Sequence, residues 1–113
     1  RDRRAGKRSG MNIQSMLKKA QQLQAKMTQV QEELKTREVI GSAGGGKVKI
    51  TMNGAQEVTA ITIDPEVVKS DETDLLEDLV LAAFRDARGK VTTMVEEEMS
   101  KVTAGAGLPP GLI

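Results

Sequence analysis

The sequence predicts an α+β fold: a long helix, a three-stranded antiparallel sheet and a second long helix follow one another along the chain. Apolar residues recur every three or four positions in the segments towards both ends, which is typical of amphipathic helices. In the middle they recur every second position, which is typical of half-buried strands. Glycine-rich turns separate the alternating segments. At 113 residues, the chain fits one domain.

The first helix is predicted from Ile13 onward, where steps of three and four alternate. Its apolar stripe consists of Ile13, Met16, Ala20, Leu23, Met27, Val30 and Leu34, widened by Leu17. A long helix with such a narrow, heptad-spaced stripe packs against another long helix. That helix belongs either to the same subunit or to a second copy, and contact between subunits is the slightly favoured interpretation.

Three strands follow, beginning with a β-branched piece around Val39 and Ile40. Residues 41–46 are predicted to form a turn, because four of the six are glycine. Residues 47–53 alternate apolar and polar side chains, and Asn53-Gly54 predicts a tight hairpin into a third strand at residues 58–63. A three-stranded antiparallel meander is the simplest arrangement.

The second helix is predicted to begin near Ser70 or Asp71, after Asp64-Pro65 has ended the third strand. Acidic residues crowd its first turns, where the helix dipole favours negative charge. The apolar stripe includes Leu76, Val80, Ala83, Phe84, Ala87, Val91, Met94, Val95 and Val102, and the helix is expected to end near Thr103. Gly89 is a weak position inside it.

The composition argues against an enzyme, because the chain contains neither cysteine nor histidine. Thiolate nucleophiles, imidazole bases, disulfides and the usual zinc or haem ligands are therefore absent, and we expect no metal, no cofactor and no small-molecule substrate. The acidic clusters are explained by helix starts and solvated faces. No apolar run approaches the roughly 20 residues of a membrane span, and no signal peptide is evident, so a cytoplasmic location without membrane contact is expected.

The charge is unevenly distributed. Residues 1–10 contain five basic residues and one acidic residue, which gives +4 and leaves −3 for the rest of the chain, since the total is +1. We interpret this decamer as a disordered extension, either a cloning remnant or a mis-assigned segment before Met11, in preference to a genuine basic arm. Residues 11–103 form the predicted domain, and the Gly- and Pro-rich residues 104–113 a flexible tail.

Basic residues on the helices are the candidate binding residues. Lys18, Lys19 and Lys26 precede the first acidic residue after Met11, Glu32, and Lys19 and Lys26 share one face about 10 Å apart, a spacing suited to duplex phosphates. Taken alone, such lysines more often form a solvated face. The glycines before Lys47 lack the full spacing of a phosphate-binding loop, so the hairpin interpretation is preferred.

The single aromatic residue, Phe84, bears on both assembly and ligand. A monomeric core with one aromatic residue would be thin, and a dimer would add buried surface. Single-strand binders stack bases on aromatic rings, so charge-based binding of duplex DNA is favoured. Arginine is scarce after residue 10, which predicts low or modest sequence specificity.

Three stretches together resemble the YbaB/EbfC family of nucleoid-associated proteins. They are MLKKAQQLQAKMTQVQEEL, GGGKVKITMNGAQEVTAITIDPEVV, and LLEDLVLAAFRDA with the closing LPPG. The resemblance covers nearly everything from Met11 onward. The Asn53-Gly54 hairpin ended by Ile63-Asp64-Pro65 is more specific than any single motif.

The resemblance implies a tweezers-like homodimer that binds double-stranded DNA in the nucleoid, with a role in nucleoid organisation and gene regulation and no catalysis. Basic residues on the long helices are implicated in the family. The positions that could fill this role are Lys18, Lys19, Lys26, Lys35 and Arg37, with Arg85, Arg88 and Lys90 as a second group. The alternative is a dimeric scaffold for recombination or replication proteins, with incidental DNA binding.

Overall fold

A computed structural model describes residues 2–105, with side chains from residue 13 onward. It confirms the predicted α+β element order. The elements are α1 (Asp2–Leu34), β1 (Glu38–Ala43), β2 (Val48–Asn53), β3 (Val58–Ile63) and α2 (Thr73–Gly105), with a short 3-10 turn at Pro65–Val67 before α2. α1 begins well before Ile13, and the predicted tail beyond Gly105 lies outside the described residues.

The sheet is antiparallel, with β2 between β1 and β3. Val48, Ile50 and Met52 alternate along β2 and are fully buried, as the period of two predicts. They pack against Ala83, Ala87 and Val91 of α2. α2 lies over β1 and β2, whereas every residue of β3 is exposed. The core is therefore built on two of the three strands.

Gly41 lies in a strand, so the turn predicted over residues 41–46 starts too early. β1 continues to Ala43, and the positive φ angles occur at Gly44, Gly45 and Gly46. A Cβ on Gly41 would overlap the backbone of Ala83 and Ala87. The glycine at position 41 therefore allows α2 to approach the sheet closely, and the turn needs only the later glycines.

The hairpin at Asn53-Gly54 is present, and it leads into a third strand at the predicted residues, Val58–Ile63. Residues 54–57 connect the strands, and the left-handed position is Gln56, at φ 63. The side chain of buried Asn53 accepts hydrogen bonds from the N–H groups of Ala55 and Glu57, at 2.9 and 3.1 Å, which stabilises this loop. The N–H of Gly54 donates to the carbonyl of Leu34, at 3.0 Å, so this glycine joins the hairpin to the end of α1.

Candidate nucleic-acid interface

The second half of α1 packs against the last turns of α2. The apolar contacts come from Leu23, Met27, Val30 and Leu34 on α1 and from Met94, Val95, Met99 and Val102 on α2. This accounts for part of the heptad-spaced stripe by contact within one subunit. Ile13, Met16 and Leu17 remain exposed on the first half of α1. We refer to the two packed helix halves together with the projecting part of α1 as the arm. The whole molecule is elongated and measures 84 × 22 × 17 Å.

Lysines from both helices meet on the arm. Lys19 and Lys26 of α1 line the same notch as Lys101 of α2, with Leu23 and Val102 at its apolar floor. The helices run antiparallel, so the last turns of α2 lie beside the middle of α1. Lys101 also lies 3.2 Å from the carboxylate of Glu98. Sequence reasoning did not select Lys101, because its proximity to Lys19 depends on how the helices pack.

The charge is separated along the molecule. Residues 13–30 contain three lysines and no acidic residue. Residues 31–100, which include the sheet and most of α2, contain eight basic and fifteen acidic residues, a net charge of −7. A polyanion is therefore attracted to residues 13–30 of the arm and repelled by residues 31–100, which orients its approach.

Lys18 and Lys35, two further predicted binding residues, differ in their surroundings from Lys19 and Lys26. Lys18 is exposed but does not line the notch, because it is one residue, or about 100°, away from Lys19 on the helix. Lys35, just after the end of α1, lies 3.1 Å from the carboxylate of Glu32 in its last turn. An exposed pair of this kind is weak, so Lys35 can exchange its partner for a phosphate at small cost.

Two members of the second predicted group, Arg85 and Lys90, lie away from the notch in a groove between β1 and α2, and Arg37 of the first group lines the same groove. Asp86 and Glu98 also line it, among others. The structure therefore does not bring this group together with Lys19 and Lys26. Arg88 is exposed on α2 and does not line the groove.

Two of these cations are engaged by carboxylates. Arg37 donates to Glu98 at 3.0 Å, and the pKa of Glu98 is lowered by hydrogen bonds from Arg37 and then Lys101. Lys90 lies 3.1 Å from Asp86. The pKa of Asp86 is lowered first by a hydrogen bond from the Ser42 N–H and then by one from Lys90. The positive charges of Arg37 and Lys90 are thus partly neutralised by these carboxylates.

An apolar groove separates β3 from α2, on the sheet face that α2 covers elsewhere. Its lining is almost entirely hydrocarbon and consists of Ile50, Val58, Ile61, Ile63, Leu76, Val80, Leu81 and Phe84, with Glu77 at its border. Ile61 is 53% exposed and Leu81 46% exposed. Exposed apolar side chains that face each other across an open groove are typical of an interaction surface.

Among the described residues, no group of acidic side chains is arranged to hold a metal ion. Within that same part of the chain, neither helix has a stretch apolar enough and long enough to cross a bilayer.

Comparison with known proteins gives consistent results. Residues 9–106 match the YbaB/EbfC DNA-binding family. A nucleoid-associated protein of Rhodospirillum rubrum is 50% identical over 101 residues, which cover 89% of this chain and 94% of the relative. One from Acetivibrio thermocellus is 48% identical over 103 residues, 91% of each chain. The crystal structure of an uncharacterized Helicobacter pylori protein shares the fold, with a TM-score of 0.59, 19% identity, and coverage of 69% of this chain and 90% of that one.

Proposed function

The chain belongs to the YbaB/EbfC DNA-binding family, and from that membership we propose that it binds duplex DNA as a homodimer, through phosphate contacts made by the arm. The observation that carries the proposal is the set of lysines at the notch. Residues 13–30, which include Lys19 and Lys26, contain no acidic residue, and α2 adds Lys101 beside them. Lys18 extends the basic surface to the adjacent face.

Phosphate contact is favoured over base recognition by the side chains present. Lysine presents a flexible point charge, whereas guanine is usually recognised by arginine in a bidentate arrangement. No arginine lies between residue 13 and Arg37, and Arg37 is held by Glu98. Low or modest sequence specificity follows, together with a steep dependence of affinity on salt concentration.

The homodimer is supported by the apolar groove between β3 and α2. Leu81 and Phe84 line it opposite Ile61 and Ile63, and a second copy would bring the same residues to the other side. In a single copy every residue of β3 is exposed, so the core does not extend over this strand. Burial of this surface in a dimer would add to the core. A dimer also carries two arms, so the number of phosphate contacts doubles without any new contact within either arm.

Such a dimer with two basic arms is suited to hold or bridge duplex segments, and the relatives are nucleoid-associated proteins. We propose the same location for this chain, within the cytoplasm, and a role in nucleoid organisation and gene regulation. No catalytic step is part of the proposal.

The second candidate function is a dimeric scaffold that binds recombination or replication proteins. The observation in its favour is the exposed apolar stripe of Ile13, Met16 and Leu17 on the projecting part of α1, where a partner helix could pack. The net charge of −7 over residues 31–100 also disfavours DNA contact there.

Salt dependence of DNA affinity separates the two functions. Labelled duplex DNA is titrated with the protein at several salt concentrations, and binding is followed by fluorescence anisotropy. Each phosphate contact contributes about 0.9 to the slope of log affinity against log salt, so the DNA-binding function predicts a steep slope. Weak binding with a shallow slope would favour the scaffold.

A further inference from the structure

Two cations from different parts of the chain converge on one carboxylate oxygen. Nη1 of Arg37 donates to Oε1 of Glu98, at 3.0 Å, and Nζ of Lys101 donates to the same oxygen, at 3.2 Å. Glu98 and Lys101 are one turn apart on α2, whereas Arg37 lies just before β1. A guanidinium and an ammonium group that share one anionic oxygen form the kind of environment in which proteins bind phosphate.

Glu98 uses only part of the donor capacity of these two cations. A guanidinium and an ammonium group each carry several N–H donors. The side chains of Arg37 and Lys101 are 53% and 73% exposed, so solvent reaches most of both. Ion pairs with this much solvent contact are weak, because water and salt compete for the charges. A phosphate that approaches from solvent can therefore replace the carboxylate at small cost.

The carboxylate of Glu98 lies where two basic surfaces of the molecule meet. Lys101 lines the notch beside Lys19 and Lys26. Arg37 and Glu98 line the groove between β1 and α2. A continuous set of cations therefore leads from the notch to this groove, and Glu98 is the acidic residue that joins its members.

Glu98 acts as an anion at this position. Hydrogen bonds from Arg37 and then Lys101 hold the pKa of its carboxyl below the ordinary value, so the group is ionised at neutral pH. Glu96 and Glu97, its exposed neighbours on α2, form no ion pair with any lysine or arginine among the described residues. The contact with the cations therefore belongs to Glu98 and not to the acidic run as a whole.

We infer that Arg37 and Lys101 form a phosphate subsite where the arm meets β1, which the carboxylate of Glu98 fills in the free protein and a duplex phosphate takes over on binding. The inference rests on the proposed DNA binding and makes Glu98 an internal competitor of the DNA. In the free protein this carboxylate keeps Arg37 and Lys101 close together, although their like charges repel each other. On binding it loses both contacts and is left beside a phosphate of the same sign, so it lowers the affinity.

The variant Glu98→Gln tests the competition, because the amide removes the charge but keeps an oxygen that can accept both hydrogen bonds. Glu97→Gln is the matched control, since it changes the net charge equally at the adjacent position of α2. Labelled duplex DNA is titrated with each protein at several salt concentrations. At equal salt we expect Glu98→Gln to raise the affinity about fivefold and Glu97→Gln less than about twofold. In Glu98→Gln the slope of log affinity against log salt should steepen by about 0.9 per arm, because one more net positive charge faces phosphate.

Removal of the two cations shows whether Glu98 acts through them. In a background with Arg37→Gln and Lys101→Gln, the further change Glu98→Gln is expected to raise the affinity no more than Glu97→Gln does. A gain that persists without Arg37 and Lys101 overturns the subsite, because it would come from the general charge of the protein.

Nuclear magnetic resonance of the parent protein gives an answer that requires no substitution. The pKa of the Glu98 carboxyl, followed through its carboxyl carbon, is expected to rise when duplex DNA binds. The two donors then move to phosphate, and repulsion by the phosphate favours the protonated form. A rise no larger than that of Glu97 overturns the displacement of Glu98.

The outcomes separate this inference from the proposed function. A parent chain that binds duplex DNA with a steep salt slope, while Glu98→Gln and Glu97→Gln bind equally tightly, overturns the subsite and leaves DNA binding intact. A parent chain that does not bind duplex DNA overturns both.

Discussion

The carboxylate of Asp86 accepts a hydrogen bond from the backbone N–H of Ser42, at 2.9 Å, and so joins α2 to the edge of β1. Lys90 completes the link through the carbonyl of Ile40. A lysine that sequence reasoning grouped with the DNA-binding residues is thus engaged in the protein's own sheet. Its charge is also partly balanced by Asp86.

Acid is predicted to weaken this link. The pKa of Asp86 is lowered, chiefly by the Ser42 N–H and then by Lys90. A lowered folded-state pKa stabilises the protein above the unfolded value of about 4, and this stabilisation is lost as the pH falls through the folded value. The free energy of unfolding, measured by urea denaturation in steps below pH 5, should therefore fall with pH.

Substitution of Asp86 isolates its share of that pH dependence. Asp86→Asn should reduce the slope of the unfolding free energy against pH below pH 4. It should not remove that slope, since hydrogen bonds from Arg37 and Lys101 also lower the pKa of Glu98. An unchanged slope in Asp86→Asn would mean that Asp86 does not contribute.

Two glycines are predicted to respond oppositely to alanine. Gly41→Ala should lower the free energy of unfolding by about 3 kcal/mol, because the added methyl overlaps the backbone of Ala83 and Ala87. Gly89→Ala meets nothing within 4 Å and lies inside α2, so it should raise stability by up to about 1 kcal/mol. Thermal and urea denaturation check both, and equal effects would contradict the close approach at Gly41.

A charged side chain in the apolar groove between β3 and α2 is predicted to be tolerated in the monomer but not in the dimer. Leu81→Glu should leave the monomer folded, because the side chain is 46% exposed. It should raise the dimer dissociation constant at least about a hundredfold, since a carboxylate would be buried against hydrocarbon. Leu17→Glu, on the exposed part of α1, is the matched control and should dimerise normally. Equal behaviour of the two variants in sedimentation experiments would place the interface elsewhere.

The element order was predictable because each element carries its own periodicity and stop signals. The α2 stripe and the alternation in β2 depend on neighbours along the chain, which the sequence displays. Gly41 and Gly54 were assigned to turn conformations because glycine usually marks turns. In the structure both allow close approach of another element, to α2 and to Leu34 respectively. Such contacts depend on tertiary packing and leave no local signal.

The candidate site was predictable only in part for the same reason. Lys19 and Lys26 share a helix face by spacing alone, so their common placement follows from the sequence. Lys101 joins them because α2 packs antiparallel to α1. The ion pair of Arg37 with Glu98 joins residues far apart in the chain and could not be anticipated from charge counting. Lys90 and Asp86 lie four residues apart on α2, so their pairing is visible in the sequence, but the bond of Lys90 to the carbonyl of Ile40 is not.

The central claim, that the arm binds duplex phosphates, is tested most directly by anisotropy titrations of a Lys19→Glu and Lys26→Glu variant across salt concentrations. The control, Lys49→Glu and Lys69→Glu, changes net charge equally but places the substitutions on β2 and in the segment before α2. Both are measured with and without residues 1–10, because that basic decamer could itself bind DNA.

In both backgrounds the arm variant should lose most of its affinity. Its salt slope should fall by about 3 to 4, since two phosphate contacts disappear from each arm of a dimer. The control should bind nearly as the parent does. Equal losses in the two variants, or binding that disappears with residues 1–10 alone, would contradict the claim.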